Sequence, residues 1–178
     1  MAIERTMEAS MLKAVRCLEI GLTHLEMPEL KALSDEEIRA KIKNIDDERC
    51  FVIAEAMRRG VTIDEINAIT KIDKWFLSKI QNIIKMERAL ETHELTPSLL
   101  RKAKKMGFAD KTIAARVGKT EFEIRDMRKA NGIIPTYKMV DTCAAEFEAA
   151  TPYYYSCYET EDEVQVSDKK KVVVLGSG

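Results

Sequence analysis

Residues 62–92 read TIDEINAITKIDKWFLSKIQNIIKMERALET, and this stretch sets the fold class. Thr62 and Glu65 have the spacing of a capping box, in which a hydroxyl and a carboxylate three residues apart satisfy backbone N–H groups at a helix start. Asp73 is a second N-cap residue. The apolar residues after it recur at the period of a helix, at Phe76, Ile80, Ile83, Ile84 and Leu90. The stretch therefore predicts a short helix followed by a longer one.

The same pattern of caps and apolar stripes continues on both sides of this stretch. Upstream, helices are predicted over Thr6 to Leu22, over Ser34 to Ile42, and from Asp46 or Asp47 to Gly60. The first of these should stop at Gly21, and its apolar stripe consists of Met7, Met11, Val15 and Leu18. Downstream, helices are predicted over Thr96 to Gly107, from Ala109 or Asp110 to Gly118, and over Thr120 to Gly132. No segment before residue 133 alternates as a strand does. The sequence therefore predicts an all-α, multihelical fold.

The helical part contains a faint internal repeat. Shifting the chain by 47 residues superposes Gly60 on Gly107, Ile66 on Ile113, Asp73 on Thr120, Trp75 on Phe122 and Leu77 on Ile124. In each copy a helix ends at a glycine, a short helix follows, and a capped helix comes next. This pattern predicts two small helical sub-bundles, with chance similarity between amphipathic helices as the alternative.

The character of the sequence changes at Ile133. Pro135 excludes an ordinary helix, so residues 133–140 are predicted to be extended, and Asp141 is a candidate cap for a turn after them. All five tyrosines lie between residues 137 and 158. Because tyrosine combines a large apolar ring with a hydroxyl, such a segment suits docking on another domain. The alternative is a tail that folds back over its own helices.

The last part of the chain has a different charge and a different pattern. Residues 141–168 carry eight acidic and no basic side chains, and an exposed linker is predicted within them. Val172–Leu175 is typical of a buried parallel strand, and Gly176–Gly178 of the start of a phosphate-binding turn. A single apolar strand cannot form a sheet, so we expect the chain to be a segment of a longer protein in which an α/β domain follows.

Composition excludes several classes of protein. The chain has 178 residues, of which 46% are hydrophobic, and a net charge of -1 gives no general attraction to a polyanion. No apolar run approaches the roughly 18 residues of a membrane span, and residues 1–10 are unlike a signal peptide. The four cysteines are widely spaced, which predicts reduced thiols in a cytoplasmic protein.

Residues 107–131 allow a second class of function. They have the outline of a helix-turn-helix, with a short helix, a glycine turn, a capped second helix and an excess of basic residues nearby. The recognition helix would be Thr120–Asn131. The first turns of this helix carry the acidic residues Glu121, Glu123 and Asp126, at positions where hydrogen-bond donors would have to approach the DNA. A small nucleic-acid-binding protein is therefore the alternative function, and no nucleic-acid partner is expected.

No constellation of residues predicts catalysis or metal binding. The cysteines lack CxxC spacing, and His24 and His93 stand alone, so these residues are predicted to be structural. No Ser–His–Asp set or distinct carboxylate pair is present in the pattern. Trp75 and Phe76 fall at helical spacing in an apolar stripe and are predicted to lie in the core. We expect no catalytic, cofactor-binding or metal-binding residue in this chain.

Several motifs together resemble one family. PTYKMVDTCAAEF over Pro135–Phe147 and TPYYYS over Thr151–Ser156 resemble a signature of the carbamoyl-phosphate synthetase large chain. In that family the signature lies at the end of the helical connection, or oligomerisation, domain. IDKWFL over Ile72–Leu77 resembles an upstream part of the same domain, and KVVVLGSG over Lys171–Gly178 resembles the start of the second synthetase half.

The resemblance implies a domain organisation and a role. Residues 1–8 would end the first ATP-grasp half, 9–158 would be the connection domain, 159–170 the acidic linker, and 171–178 the first strand and turn of the second half. The parent ligase would make carbamoyl phosphate from bicarbonate, glutamine-derived ammonia and two ATP, for arginine or pyrimidine synthesis. The segment itself would be inactive and would hold the two halves in register. ATP and Mg²⁺ or Mn²⁺ would bind to the parent enzyme and not to this segment.

The resemblance also implies partners. These are the flanking ATP-grasp halves, a second copy of the large chain and, through the parent enzyme, a small glutaminase subunit; no membrane is expected. The candidate docking residues are Tyr137, Lys138, Asp141, Tyr153, Tyr154, Tyr155 and Tyr158.

Overall fold

A computed structural model describes residues 1–149 and 152–176. Within these residues the chain forms nine helices, α1 (Met7–Cys17), α2 (Pro28–Lys31), α3 (Asp35–Lys41), α4 (Arg49–Arg58), α5 (Ile63–Thr70), α6 (Lys74–Thr92), α7 (Pro97–Lys105), α8 (Asp110–Val117) and α9 (Glu121–Ala130), and two strands, β1 (Thr136–Met139) and β2 (Tyr154–Cys157). The prediction of a multihelical fold with an extended C-terminal segment is confirmed. Thr151 of the tyrosine-rich motif and the last two positions of the predicted turn lie outside the described residues.

Local capping motifs define most of the helix starts. All three predicted capping boxes form, at Ser34, Thr62 and Thr120, each with the glutamate three residues later. Asp73 caps α6 by accepting a hydrogen bond from the Trp75 N–H at 2.7 Å. Because these bonds satisfy donors that a helix start leaves without partners, a motif of four residues is enough to place the boundary.

Some boundaries differ from the prediction. α1 ends at Cys17 and not near Leu22, because Glu19 takes a positive φ of 56° and turns the chain earlier. α2 is a single turn, too short to show an apolar period in the sequence. α4 begins after Glu48, which makes no capping bond, and not after the predicted caps, Asp46 or Asp47.

The internal repeat is present in the helix boundaries. α5 and α8 begin and end 47 residues apart, and α6 and α9 begin 47 residues apart. Gly60 and Gly107 follow α4 and α7 with φ of +90° and +85°, a conformation that glycine adopts without strain. The two sub-bundles are therefore α4–α6 and α7–α9, and they share one continuous hydrophobic core.

The prediction that Trp75 and Phe76 belong to the core is wrong. Their exposed fractions are 52% and 46%, whereas the next residue, Leu77, is fully buried. Successive helix residues point about 100° apart. The buried face of α6 begins at Leu77 and continues through Ile80 and Ile84, so the two aromatic rings before it lie at the surface.

A similar error occurs in α1, and α9 also exposes an aromatic ring. The predicted stripe of α1 included Leu18, which is 57% exposed, and the buried residues of this helix are Glu8, Ala9, Leu12 and Val15. Phe122, which occupies in α9 the place of Trp75 in the repeat, is 73% exposed. Both helices were predicted, but the stripe predicted for α1 was only partly right, since Val15 is buried and Leu18 is not.

A charged network is buried at Glu87 of α6. This carboxylate is 2% exposed and accepts hydrogen bonds from Arg58 Nε and Nη2, both at 2.8 Å, and from His24 Nε2 at 2.5 Å. Burial acts to raise the pKa of Glu87, but the bonds from Arg58 and His24 outweigh it and hold the pKa at about 2. The network ties the loop after α1 to α4 and α6, and it gives His24 the structural role predicted for it.

Residues 172–175, predicted to be the first strand of a following domain, form neither a helix nor a paired strand in this structure. Their side chains are 79–92% exposed. A strand is stable only beside a neighbouring strand. The domain boundary at residue 171 and the following α/β domain therefore stay predictions.

Candidate docking site at the C-terminal hairpin

β1 and β2 pair antiparallel, with Thr136 opposite Cys157 and Met139 opposite Tyr154, and we call this pair the tyrosine hairpin. Because side chains alternate along a strand, the hairpin has two faces. The outer face is exposed to solvent and consists of Tyr137, Met139, Tyr154 and Ser156. The inner face is half or fully buried and consists of Thr136, Lys138, Tyr155 and Cys157.

Tyr158, which directly follows β2, packs on a charged cluster of the helical body. In this cluster Asp110 accepts hydrogen bonds from Lys104 Nζ at 2.6 Å and from Arg128 Nε at 3.1 Å. Lys104 Nζ lies 4.9 Å and Arg128 Cζ 5.7 Å from the centre of the Tyr158 ring, within the range of cation–π attraction. The ring covers the cluster and anchors the hairpin to α7, α8 and α9.

Burial changes the protonation equilibria at this anchor. It lowers the pKa of Lys104, and the hydrogen bond to Asp110 opposes that effect. It also raises the pKa of Tyr158, against the influence of Arg128. The phenol therefore stays neutral at physiological pH, and the contact with Lys104 is that of an ammonium ion with a neutral ring.

Lys13 of α1 provides a second attachment. Its Nζ donates hydrogen bonds to the carbonyls of Ile3 at 2.9 Å and Ser156 at 3.0 Å, and it pairs with Glu4 at 2.6 Å. The same Nζ lies 5.8 Å from the centre of the Tyr155 ring. This one lysine thus connects α1 both to the residues that precede it and to strand β2.

The acidic linker is held along the other edge of the hairpin. The Glu163 N–H donates to the Tyr137 carbonyl at 2.9 Å, and its carboxylate accepts from the Met139 N–H at 2.7 Å. Lys138 pairs with Glu163 at 3.0 Å and with Glu161 at 3.5 Å. The hydrogen bond to Glu163 is the main cause of the raised pKa of Lys138. The first part of the linker is therefore fixed to β1, and Glu161 and Glu163 are the ion-pair partners of Lys138.

The seven predicted docking residues fall into three groups. Tyr155, Tyr158 and Lys138 fasten the hairpin to the chain's own helices and linker, whereas Tyr137, Tyr153 and Tyr154 remain 43%, 62% and 44% exposed. Asp141 accepts hydrogen bonds from the N–H groups of Cys143 and Ala145, so it caps a local turn as predicted. The fold-back interpretation therefore describes Tyr155 and Tyr158, and docking of another domain on the exposed tyrosines stays a prediction.

The anchoring residues of the helical body were missed in the sequence. Lys104 lies one helical turn after the buried Leu100, and Arg128 lies one turn after the buried Ile124. A charged residue that follows an apolar residue at this spacing continues a buried stripe. This spacing is the signal that could have identified them. A charged side chain buried in this way needs an oppositely charged or hydrogen-bonding group beside it.

The structure also bears on the alternative function and on the kinds of site that the sequence did not favour. Arg128, one of three basic residues on the candidate recognition helix, is buried against Asp110 and is not available to DNA. Among residues 1–149 and 152–176, no three His, Cys, Asp or Glu side chains come together to hold a metal ion. Within the same residues, no helix is long and apolar enough to cross a membrane.

The described residues form a multihelical body to which a two-stranded hairpin is attached, and the comparisons with known proteins identify its family. Residues 1–132 match the family model described as carbamoyl-phosphate synthetase large chain, oligomerisation domain, a range that covers the helical body and stops before β1. All 178 residues align at 56% identity with the carbamoyl phosphate synthase large chain of Thermoanaerobacter pseudethanolicus (strain ATCC 33223 / 39E). The chain spans 17% of the length of that relative. This chain therefore belongs to the carbamoyl-phosphate synthetase large chain family and contains its oligomerisation domain.

Proposed function

We propose that this chain is a non-catalytic connector that holds the two synthetase halves of a carbamoyl-phosphate synthase in register. The outer face of the tyrosine hairpin is the observation that carries the proposal. Tyr137, Met139 and Tyr154 lie together at the surface, while the opposite face is fastened to the helices through Tyr158 and Lys13. An exposed aromatic surface on a firmly held element suits docking of a neighbouring domain.

The proposed reaction explains why such a connector is needed. One half would phosphorylate bicarbonate and use ammonia from glutamine to form carbamate, and the other would phosphorylate carbamate with a second ATP. Carbamate is labile in water, so its transfer requires the halves to keep a fixed relation. ATP and Mg²⁺ or Mn²⁺ would act in those halves, and the segment would contribute no reacting group.

Further parts of the proposal follow from family membership. The family description supports self-association through the helical body. A small glutaminase subunit would contact the parent enzyme elsewhere. The spacing of the cysteines supports a cytoplasmic location. The parent enzyme would serve arginine or pyrimidine synthesis.

Replacing Tyr137 and Tyr154 together by alanine is expected to uncouple the two half-reactions in the parent enzyme. Both rings are exposed in this segment, so their loss should leave the helical body intact while it removes the docking surface. The measurement is the amount of ATP hydrolysed per carbamoyl phosphate formed, together with bicarbonate-dependent ATP hydrolysis and the reverse transfer of phosphate from carbamoyl phosphate to ADP. The ratio should rise while each partial reaction keeps most of its rate.

Ile45→Ala is the matched control, because Ile45 is an apolar residue of the helical body that is 85% exposed. It should leave the ratio unchanged. If the double variant also kept the parental ratio, the outer face would have no part in coupling and the connector proposal would lose its main support.

A further inference from the structure

Lys13 of α1 joins two segments that are far apart in the sequence. Its Nζ donates to the carbonyl of Ile3 at 2.9 Å and to that of Ser156 at 3.0 Å, residues that lie 10 positions before it and 143 positions after it. It also pairs with the Glu4 carboxylate at 2.6 Å. A lysine ammonium has three N–H donors, so these three oxygens use all of them and fix the head group. We call this set of contacts the Lys13 bridge.

The Lys13 bridge is partly shielded from solvent. The side chains of Lys13 and Glu4 are 21% and 9% exposed, so salt screens their attraction less than it screens an exposed ion pair. A second contact lies beside the first, because a hydrogen bond with the Tyr155 hydroxyl is the main cause of the raised pKa of Arg5. The segment before α1 therefore meets strand β2 at two adjacent places.

All three acceptors of the Lys13 bridge lie outside the helices. Two of them precede α1 and the third lies in β2. Both carbonyl oxygens bond to the same nitrogen, so they are held within about 6 Å of each other. A lysine that only stabilised the helical body would pair with a neighbouring helix, as Lys104 of α7 does with Asp110 of α8. Lys13 instead brings together the chain on either side of the helical body.

We infer that Lys13 is a positioning residue that fixes the two ends of the connector to each other. The inference rests on the proposed function and adds how the register is kept. In the proposed domain organisation, the chain arrives from one synthetase half through residues 1–8 and leaves for the other after the tyrosine hairpin. A displacement of one half would then reach the other directly through the hydrogen bonds of Lys13, and not only through the helical body.

Hydrogen exchange in the 178-residue chain tests the bridge independently of catalysis. Lys13→Met keeps an unbranched side chain and removes the ammonium group. Exchange of the β2 amides should rise about tenfold or more, the effect of losing a hydrogen bond to a charged group. The helical circular dichroism signal should stay at the parental value, because no acceptor of the bridge lies in a helix. Lys41→Met is the matched control, since Lys41 of α3 pairs with Glu48 at 3.0 Å, and it should leave β2 exchange unchanged.

A change at Glu4 measures whether the two ends are coupled through Lys13. Glu4→Gln weakens the ion pair before α1, and it should raise the exchange of the β2 amides about threefold. The same change in a Lys13→Met chain should have no further effect, because the connecting group is already missing. Equal effects in both chains, or no effect in the parent chain, would refute the bridge.

In the parent enzyme, Lys13→Met should raise the ATP hydrolysed per carbamoyl phosphate while each partial reaction keeps most of its rate. Lys41→Met should leave that ratio unchanged. If the double alanine variant of Tyr137 and Tyr154 uncoupled the halves and Lys13→Met did not, the positioning role of Lys13 would be refuted and the connector proposal would stand. If neither variant uncoupled them, the connector proposal would fail together with the role of Lys13.

Discussion

Replacing Glu87 by glutamine is expected to lower the free energy of unfolding by about 3–5 kcal/mol, the usual cost of removing one partner from a buried ion pair. In the parent chain Arg58 and His24 both donate hydrogen bonds to the Glu87 carboxylate. The change keeps the shape of the side chain but replaces one accepting oxygen by an NH₂ group, which cannot accept these bonds. The buried guanidinium of Arg58 would be left with less compensation for its lost hydration. Equilibrium unfolding in urea, followed by circular dichroism at neutral pH, measures the effect.

The same substitution should change how stability depends on pH. The pKa of Glu87 lies at about 2 in the folded chain and near 4.5 in the unfolded chain, so the unfolded chain takes up the proton first as the pH falls. The contribution of Glu87, about 3 kcal/mol, is complete above pH 4.5 and is lost between that pH and about 2. Glu87→Gln should lack this part of the acid transition.

Glu48→Gln provides the control for both measurements. Glu48 pairs with Lys41 at 3.0 Å, but the two side chains are 39% and 34% exposed, so the loss should be no more than about 1 kcal/mol. A Glu87→Gln chain with the parental stability and the parental acid transition would show that the buried network does not stabilise this fold.

Replacing Gly107 by alanine is expected to destabilise the chain by about 2–5 kcal/mol. A methyl group there would lie 2.8 Å from the Cα of Ala9, so α1 would have to move away from the end of α7. Overpacking of this kind costs about 1–3 kcal/mol. The φ of +85° adds about 1–2 kcal/mol for any residue with a Cβ. The free energy of unfolding in urea is again the measured quantity.

The internal repeat supplies a control for this prediction. Gly60 has nearly the same φ, +90°, but a methyl group there would meet nothing within 4 Å. Gly60→Ala should therefore cost only the backbone strain, and the difference between the two variants should equal the cost of the contact with α1. Equal losses at the two positions would contradict the close packing of α1 against Gly107.

The helices were predictable because their signals are local. A capping box such as Thr62 with Glu65 acts within four residues, and the apolar period of α6 acts within five turns. The orientation of each buried face was less predictable, because an apolar residue such as Trp75 fits a stripe in sequence while Leu77 takes the place against the core. That choice depends on neighbouring helices, whose positions a single segment does not define.

The tyrosine-rich segment was recognisable from its composition, but its geometry was not, and its docking role stays a prediction. Five tyrosines in 22 positions indicated a contact surface. Which tyrosines face inward depends on the pairing of β1 with β2, in which residues 15 to 21 positions apart become neighbours. The partners of Tyr158 lie further away still, on α7, α8 and α9, and Lys104 and Arg128 gave only the weak signal of a charge in an apolar stripe.

The central claim is that the anchored hairpin keeps two catalytic halves in register, and Tyr158 tests it most directly. Tyr158→Phe keeps the ring over Lys104 and Arg128, whereas Tyr158→Ala removes it and leaves the hairpin held to the helical body by the weaker Lys13 attachment. In the parent enzyme, the ATP hydrolysed per carbamoyl phosphate should stay near the parental value for the phenylalanine variant and rise clearly for the alanine variant. An alanine variant as tightly coupled as the parent would contradict the claim.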